Sequence, residues 1–407
     1  MLLKLAHESR ICKGILNITG SKSETNRLLI LQALFSGFEI KNLSNSDDSK
    51  VMQAALNSDE DLIDIHHAGT AMRFLTAYFS QLEGREVILT GSSRMQERPI
   101  KILVDALRSL GASIAYEKEE GYPPLRIKGK KLNGGAVSLP ADVSSQYISA
   151  LLMLGPVLKK GIELNLEGKI TSIPYINMTL SLLNNFGGET TFERQRICVK
   201  YNPTPKKRKQ VVESDWSSAS YFFSIAALAE EAEICLSSYK SKSLQGDAVL
   251  QTIYKELGVE SRFEGNNLIL NKVKATLPKR IHWDLSKAPD IAQTIAVSCF
   301  GLGIGCDLEG LHTLKIKETD RLVALENELS KLGATVSITE KSLHLTAGSK
   351  FINDCSIPTY KDHRMAMAFA PLALKIPLSI EEAGVVSKSY PSFWEDLKKL
   401  NFKLAQR

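Results

Sequence analysis

The 407-residue sequence lacks any uninterrupted apolar run approaching the roughly 18 residues needed to cross a membrane as a helix. Its first residues, Met1-Leu2-Leu3-Lys4-Leu5-Ala6-His7-Glu8, lack the long apolar core and cleavage site of a secretory leader, so a cytoplasmic protein is expected. No G-x-G-x-x-G follows a strand pattern and no Walker A sequence occurs, which argues against a nucleotide-binding Rossmann domain. The six cysteines (Cys12, Cys198, Cys235, Cys299, Cys306, Cys355) contain no C-x-x-C pair, and the seven histidines show no metal-ligand spacing with them. Buried free thiols are expected, and His66-His67 is too short a cluster to argue for a metal. A strong charge bias is also missing: 51 basic against 45 acidic side chains leave +6, spread along the chain. That balance favours anionic partners without selecting one. Lys206-Lys207-Arg208-Lys209 follows Pro203 and Pro205, precedes an apolar-rich segment and has no interleaved aromatics. A solvated linker is therefore expected rather than a nucleic-acid contact.

What is present is the composition of a soluble globular protein, 43% apolar and 24% charged, long enough for about two domains. One pattern recurs along it. Helical segments end in leucine or phenylalanine followed by glycine, at Leu110-Gly111, Phe186-Gly187, Leu257-Gly258 and Leu332-Gly333, with Leu400-Asn401 as a fifth stop. Glycine and asparagine both suit a left-handed helix terminus. Strand-like hairpins follow most of the stops, such as Ala112 to Tyr116 with Leu125 to Ile127, and Val336 to Ile338 with Leu343 to Leu345. An upstream helix precedes each stop and opens on polar residues: Ser23, Gly69-Thr70, Ser144-Ser145, Ser217-Ser218, Asp290 and His363-Arg364. Six units are implied, the first cut short near Leu56-Asn57 without its hairpin. The basic linker divides them three and three, and Leu2 to Ile18 reads as a strand pair belonging with the second half.

The stretch Ile18-Thr19-Gly20-Ser21-Lys22-Ser23-Glu24-Thr25-Asn26-Arg27 places small residues, hydroxyls and a cation where an apolar helix begins. Backbone amides, the helix dipole and Lys22 can then face one anion. Ser21 with Glu24 fits a capping box, and Ser23 and Arg27 share a helical face. Gly69 allows a close approach of ligand to backbone. Pro99, after Arg98, suits a helix's first turn, and Glu318 with Arg321 are spaced to share a helical face.

Six motifs in order are similar to those of the 5-enolpyruvylshikimate-3-phosphate synthase (3-phosphoshikimate 1-carboxyvinyltransferase) family. They are Gly20-Ser21-Lys22-Ser23, Ala68-Gly69-Thr70-Ala71-Met72-Arg73, Met95-Gln96-Glu97-Arg98-Pro99, Val143-Ser144-Ser145-Gln146, Lys317-Glu318-Thr319-Asp320-Arg321 and Asp362-His363-Arg364-Met365-Ala366. The resemblance implies an α/β (α+β) fold of two similar domains, each of three βαβαββ units, an inside-out α/β barrel. The expected division is residues 1–18 with 213–407, and residues 19–212. The two domains would be joined by a two-stranded hinge and close on their ligands. It implies transfer of the enolpyruvyl group of phosphoenolpyruvate to the 5-hydroxyl of shikimate 3-phosphate, a step of the shikimate pathway, without metal or organic cofactor. Partners would be these small molecules, with no nucleic acid or membrane, and the chain a monomer.

Carried over position by position, Lys22, Ser23, Arg27, Ser144, Ser145, Gln146, Ser172 and Tyr175 would hold shikimate 3-phosphate. Lys22, Gly69, Arg98, Arg321, Arg364 and Lys388 would hold phosphoenolpyruvate, with Lys317 in the same motif as Arg321. Asp290 is the expected base to the hydroxyl and Glu318 the expected acid to the methylene carbon, with Lys22 the rival donor. His67, Phe74, Ile173 and Thr313 depart from the family's common residues, which bears on the shape of the phosphoenolpyruvate pocket. Inhibition by glyphosate is expected at that pocket. Two rivals stand beside this reading: the same transfer to UDP-N-acetylglucosamine, and a non-catalytic protein binding anions or RNA. Ser23 after the lysine and the absence of cysteine between Cys12 and Cys198 argue against the former.

Overall fold

The computed structural model describes every residue except 36, 141–143, 169, 171–172, 205–208, 349–350 and 407. Contacts divide the chain into two compact units, residues 20–212 and residues 1–19 with 213–407. The chain therefore crosses between them twice.

Both units repeat one plan. A strand leads through a buried helix to a parallel neighbour, a second helix follows, and a hairpin returns to the sheet. Parallel pairing needs such a helical crossover, whereas an antiparallel pair needs only a turn. In unit 20–212, Leu62–Asp64 runs parallel to Glu86–Thr90, which pairs antiparallel with Leu125–Lys128, itself paired with the edge strand Ser113–Tyr116. Gly135–Pro140, Ile162–Glu167, Arg196–Val199 and Thr190–Glu193 repeat this order. In the other unit, Arg280–Asp284, Gly305–Glu309, Leu343–Leu345 and Val336–Ile338 do the same. Among the described residues there are five such four-stranded sheets and one of two strands. The small one pairs Glu39–Lys41 with Lys209–Val211. The Asp47–Leu56 helix that follows leads directly to the next sheet, without a hairpin among the described residues.

The helix stops are set by backbone conformation. Gly111, Gly187, Gly258 and Gly333 have φ of +98°, +86°, +79° and +101°, and Asn401 has +68°. This left-handed region is open to glycine and tolerated by asparagine.

The leading segment departs from the expected strand pair. Leu3–Ala6 and Ile11–Leu16 are strands, but they join different sheets. The first lies antiparallel between Leu378–Ile380 and Lys403–Gln406, and the second runs parallel to Glu231–Leu236. The chain between them is turned aside at His7, whose Nε2 bonds the Leu400 carbonyl at 2.8 Å and whose Nδ1 accepts from the Arg10 amide at 3.0 Å.

Most of the first helices of the repeats, such as Trp216–Leu228, Ala292–Leu302 and Ser145–Leu154, are apolar on nearly every side and buried, whereas Lys22–Leu34 also buries the polar residues of its first turns. Trp216–Leu228, Ala292–Leu302 and His363–Phe369 pack on one another, as do Lys22–Leu34, Gly69–Gln81 and Ser145–Leu154 in the other unit. Sheets and amphipathic helices such as Lys101–Ser109 lie outside them, with Leu103, Val104, Ala106 and Leu107 turned inward. Some polar groups inside are matched to one another: Tyr254 and Ser298 meet at 2.7 Å, and Ser298 donates to Ser224 at 2.8 Å. This arrangement brings the N-termini of the inner helices, and their cations, to the positions described next.

Candidate active site

In unit 20–212, Lys22 and Ser23 begin the Lys22–Leu34 helix. Ser21 flanks this helix, but its side chain does not cap it, so the capping box is not formed. Glu24, the box's other half, is instead buried in the fold. The first-turn amides are thus left uncapped by Ser21, beside a cation. Lys22 Nζ lies 3.2 Å from Oδ2 of Asp48, a buried carboxylate in the first turn of the Asp47–Leu56 helix.

Arg27 is only 2% exposed. Its Nε donates to Thr179 Oγ1 at 2.8 Å, Nη1 to the Ser23 carbonyl at 2.8 Å, and Nη2 to Ser149 Oγ at 3.0 Å and the Tyr175 carbonyl at 3.4 Å. The guanidinium also lies over the rings of Phe74, at 5.4 Å, and Tyr175, at 5.9 Å. Burial pushes it down to about 10. It ties three helices together and fixes Ser23 and Tyr175.

Gly69 opens the second inner helix. A Cβ there would lie 2.6 Å from Arg98 Nη1 and 2.8 Å from Arg73 Nη1. The close approach that glycine permits is therefore that of two arginines. Arg73 donates to the Gly69 carbonyl at 2.8 Å, lies over Tyr147, and is pushed down to about 10 by burial and by Arg98. At the third inner helix, Ser144 Oγ caps by accepting from the Gln146 amide at 3.3 Å, Ser145 is buried, and the Gln146 amide group donates to Thr70 Oγ1 at 3.1 Å. Ser172 lies outside the described residues. Pro99 precedes Ile100, the residue flanking the Lys101–Ser109 helix, rather than standing in its first turn.

The other unit gathers its predicted residues into one connected network. Asp290, on the turn Pro289–Ile291, has Oδ1 2.9 Å from Arg321 Nη1 and 3.4 Å from Lys317 Nζ, and Oδ2 3.3 Å from Arg364 Nη2. Glu318 Oε2 meets Arg321 Nη2 at 2.8 Å, and its Oε1 meets Lys388 Nζ at 2.8 Å. Glu318 is not helical, since the helix begins at Arg321 behind its cap Asp320; the pair forms across that start. Arg321 also donates from Nε to Asp362 Oδ2 at 2.6 Å. Burial pulls Arg321 down, yet Asp362, Glu318 and Asp290 outweigh it and hold the guanidinium above its ordinary range. Burial pushes Asp290 up, but Arg364, Lys317 and Arg321 prevail and keep the carboxyl well below the usual range. Glu318 is likewise driven down against its burial by Arg321, Lys388 and His363. Both acids are therefore ionised at neutral pH.

Sequence reasoning passed over Asp48, Arg73 and Asp362. Arg73 carried a signal, four residues after Gly69 on the same helical face. Asp362 stood inside a motif with no role of its own, and in the structure it also caps the His363–Phe369 helix by accepting from the Arg364 amide at 2.8 Å.

The family model described as EPSP synthase (3-phosphoshikimate 1-carboxyvinyltransferase) matches residues 53–397. A curated 3-phosphoshikimate 1-carboxyvinyltransferase of Bacteroides fragilis is 46% identical over 395 residues, covering 96% of each chain. One from Actinobacillus pleuropneumoniae is 36% identical, covering 98% of this chain and 99% of its own. Among solved structures, an EPSP synthase from Acinetobacter baumannii superposes over the whole of both chains with a TM-score of 0.82 at 22% identity. The enolpyruvyl transferase NikO from Streptomyces tendae does so with 0.72 at 12% identity, over 99% of this chain and 98% of its own. These two likenesses establish a shared fold, the inside-out arrangement of βαβαββ repeats. The sequence matches go further, because they span nearly the full chain at identities that fix descent: the chain belongs to the EPSP synthase (3-phosphoshikimate 1-carboxyvinyltransferase) family.

Proposed function

We propose that the chain transfers the enolpyruvyl group of phosphoenolpyruvate to the 5-hydroxyl of shikimate 3-phosphate, releasing phosphate. The observation that carries this is the network around Asp290 and Glu318, in which four cations (Lys317, Arg321, Arg364, Lys388) hold two ionised carboxylates. Substrates that each bring a phosphate and a carboxylate need cations of this kind to offset their repulsion. Arg321 and Arg364 offer planar donors for the phosphoenolpyruvate carboxylate, and Lys22, Arg98 and Lys388 offer charge to its phosphate. Ser23, Ser144, Ser145, Gln146, Ser172 and Tyr175 are assigned to shikimate 3-phosphate, with Arg27 holding Ser23 and Tyr175 in place.

In the addition, the 5-hydroxyl oxygen bonds to C2 of phosphoenolpyruvate while its proton passes to Asp290. The methylene carbon, C3, gains a proton and becomes a methyl group, giving a tetrahedral intermediate. In the elimination that methyl returns a proton, the double bond re-forms, and the C2–O bond breaks with its electrons leaving on phosphate. Asp290 is ionised and so has a lone pair to accept the proton, while Arg364, Lys317 and Arg321 lower its proton affinity until the substrates' anionic groups draw on those cations. Glu318 must first gain a proton to act as the acid. The two substrates' anionic groups compete for Lys388 and Arg321, and each cation they take raises the affinity of Glu318 for a proton. Lys22 is the alternative donor. Glyphosate, an anion, is assigned to the phosphoenolpyruvate site as an inhibitor.

The test is phosphate release from phosphoenolpyruvate, measured with and without shikimate 3-phosphate. Turnover that depends on it, with collapse in Asp290→Asn and Glu318→Gln, supports the reading. Turnover with UDP-N-acetylglucosamine in its place overturns it. The proposal includes a cytoplasmic monomer, for which light scattering should return about the chain mass of 44.9 kDa. Among the described residues no helix is long and apolar enough to cross a membrane.

A further inference from the structure

Asp247 is a buried acid that the proposed chemistry does not use. It is 3% exposed and stands on the turn Gly246–Val249. That turn is fastened by Gln245, whose side chain donates to the Ser214 carbonyl at 2.9 Å and accepts from the Trp216 amide at 2.9 Å. Oδ2 of Asp247 accepts from the Ser217 hydroxyl, while Oδ1 is buried without a hydrogen-bond partner among the described residues. Capping does not account for this acid, since the Trp216–Leu228 helix is already capped by Asp215, which accepts from the Ser218 amide at 2.8 Å.

Ser217 has one hydroxyl proton. Donating it to Asp247 turns its lone pairs outward, and Arg364 Nη2 donates to that oxygen at 3.3 Å. Among the described residues, the other hydrogen bond and the ion pair of the Arg364 guanidinium come from Asp290: its carbonyl takes Nη1 at 3.1 Å and its Oδ2 takes Nη2 at 3.3 Å, whereas Nε is buried without a partner. Among the described residues, Ser217 thus makes the hydrogen bond to Arg364 that does not come from Asp290, while the charges of Asp247 and Asp215 attract the guanidinium through space. When Asp290 takes up a proton its attraction for Arg364 weakens, and the Ser217 hold does not.

We propose that Asp247 is a positioning residue for the reaction, orienting the Ser217 hydroxyl so that it keeps the Arg364 guanidinium directed at the carboxylate of phosphoenolpyruvate. This rests on the reading that Arg364 binds that carboxylate. Burial and the nearby Asp290 push the Asp247 carboxyl up to about 7, against the pull of Arg364 and Ser217, so it lies in the same electrostatic field.

Steady-state kinetics of the full chain test the proposal with Ser217→Ala, Asp247→Ala, Asp247→Asn, the Ser217→Ala/Asp247→Ala double variant and Arg364→Ala. A hydrogen bond to a charged group accounts for about a tenfold change. Ser217→Ala and Asp247→Ala should each raise KM for phosphoenolpyruvate about that much and leave KM for shikimate 3-phosphate within twofold. The double variant should be no worse than either single one, because both break the same chain. Asp247→Asn, whose amide oxygen still accepts from Ser217, should recover most of the affinity. If Asp247→Ala does not fold, Ser217→Ala and Asp247→Asn decide alone. Unchanged KM in Ser217→Ala while Arg364→Ala raises it overturns the positioning role. Unchanged KM in Arg364→Ala overturns the assignment of Arg364 beneath it.

Discussion

Arg27 divides two roles that a sequence motif cannot separate. A residue that chiefly contacts substrate leaves stability untouched when removed, whereas the Arg27 guanidinium is enclosed by its own fold. Arg27→Ala deletes good donors to Thr179 Oγ1, the Ser23 carbonyl and Ser149 Oγ. Hydrogen bonds from a charged donor contribute about 1.5–3 kcal/mol each. Against them stands the cost of burying the charge: a fall from 12.5 to about 10 corresponds to about 3 kcal/mol. Thr179 and Ser149 also keep their mutual bond at 2.9 Å, so neither is wholly orphaned. The net expected loss is about 3 kcal/mol. For a unit of this size that lowers its melting temperature by roughly 6–12 °C. The assay exploits where the tryptophans lie: Trp216, Trp283 and Trp394 all belong to the unit containing residues 213–407. Far-UV circular dichroism follows both units, and tryptophan emission follows only that one. The dichroism transition of Arg27→Ala should move down, with its early part unaccompanied by a change in emission. A melt superimposable on the wild type, with only KM for shikimate 3-phosphate raised, would refute the structural role.

Lys22→Ala should lower turnover more than 100-fold and also destabilise its unit by about 3 kcal/mol, because it strands the buried carboxylate of Asp48. Adding Asp48→Asn should restore the melting temperature without restoring turnover; recovery of both would remove Lys22 from the chemistry. Asp290 and Glu318 have folded-state pKa values depressed below the roughly 4 of an unfolded carboxylate. The stability they contribute is therefore present above the unfolded value and is lost progressively as pH falls below it towards their depressed folded-state values. Tryptophan emission during acid titration should show Asp290→Asn losing part of this dependence, and an unaltered acid limb would count against the pairing. Gly111→Ala should cost about 1 kcal/mol by urea denaturation, since φ is +98° and nothing lies within 4 Å of the added carbon. No loss would mean that the helix stop tolerates another backbone conformation.

The parts legible in the sequence are those decided locally. A glycine stop is a property of one residue's φ, so Gly111, Gly187, Gly258 and Gly333 announced the repeat, and the missing hairpin after Asn57 followed from spacing alone. The inner helices could be read from their polar starts and apolar runs. What stayed hidden is partner choice across long separations. Arg27 reaches Ser149 and Thr179, 122 and 152 residues away, and His7 reaches Leu400 across 393. Ile11–Leu16 has the look of half a hairpin and finds a parallel partner instead, because strand periodicity encodes which face is buried and not which strand lies alongside. The Ser21-to-Glu24 spacing failed as a capping box for the same reason, since tertiary burial of Glu24 outweighed a local hydrogen bond.

The double crossing of the chain has a consequence in the order of biosynthesis. Residues 1–19 are translated before residues 20–407, yet Ile11–Leu16 pairs with Glu231–Leu236, and Leu3–Ala6 is completed only by Lys403–Gln406. At 5–20 residues per second Ile11–Leu16 waits roughly 10–40 s and Leu3–Ala6 about twice as long. Residues 20–212 emerge as one uninterrupted stretch in that interval and are free to collapse while the leading strands remain open-edged. Lys4, Arg10 and Lys13 put positive charge along this waiting segment, a recognised deterrent to mispairing of strand edges. The nascent chain thus carries these two strands without their final partners past the completion of an entire unit, and ribosome-associated folding helpers have a long opportunity at those nineteen residues.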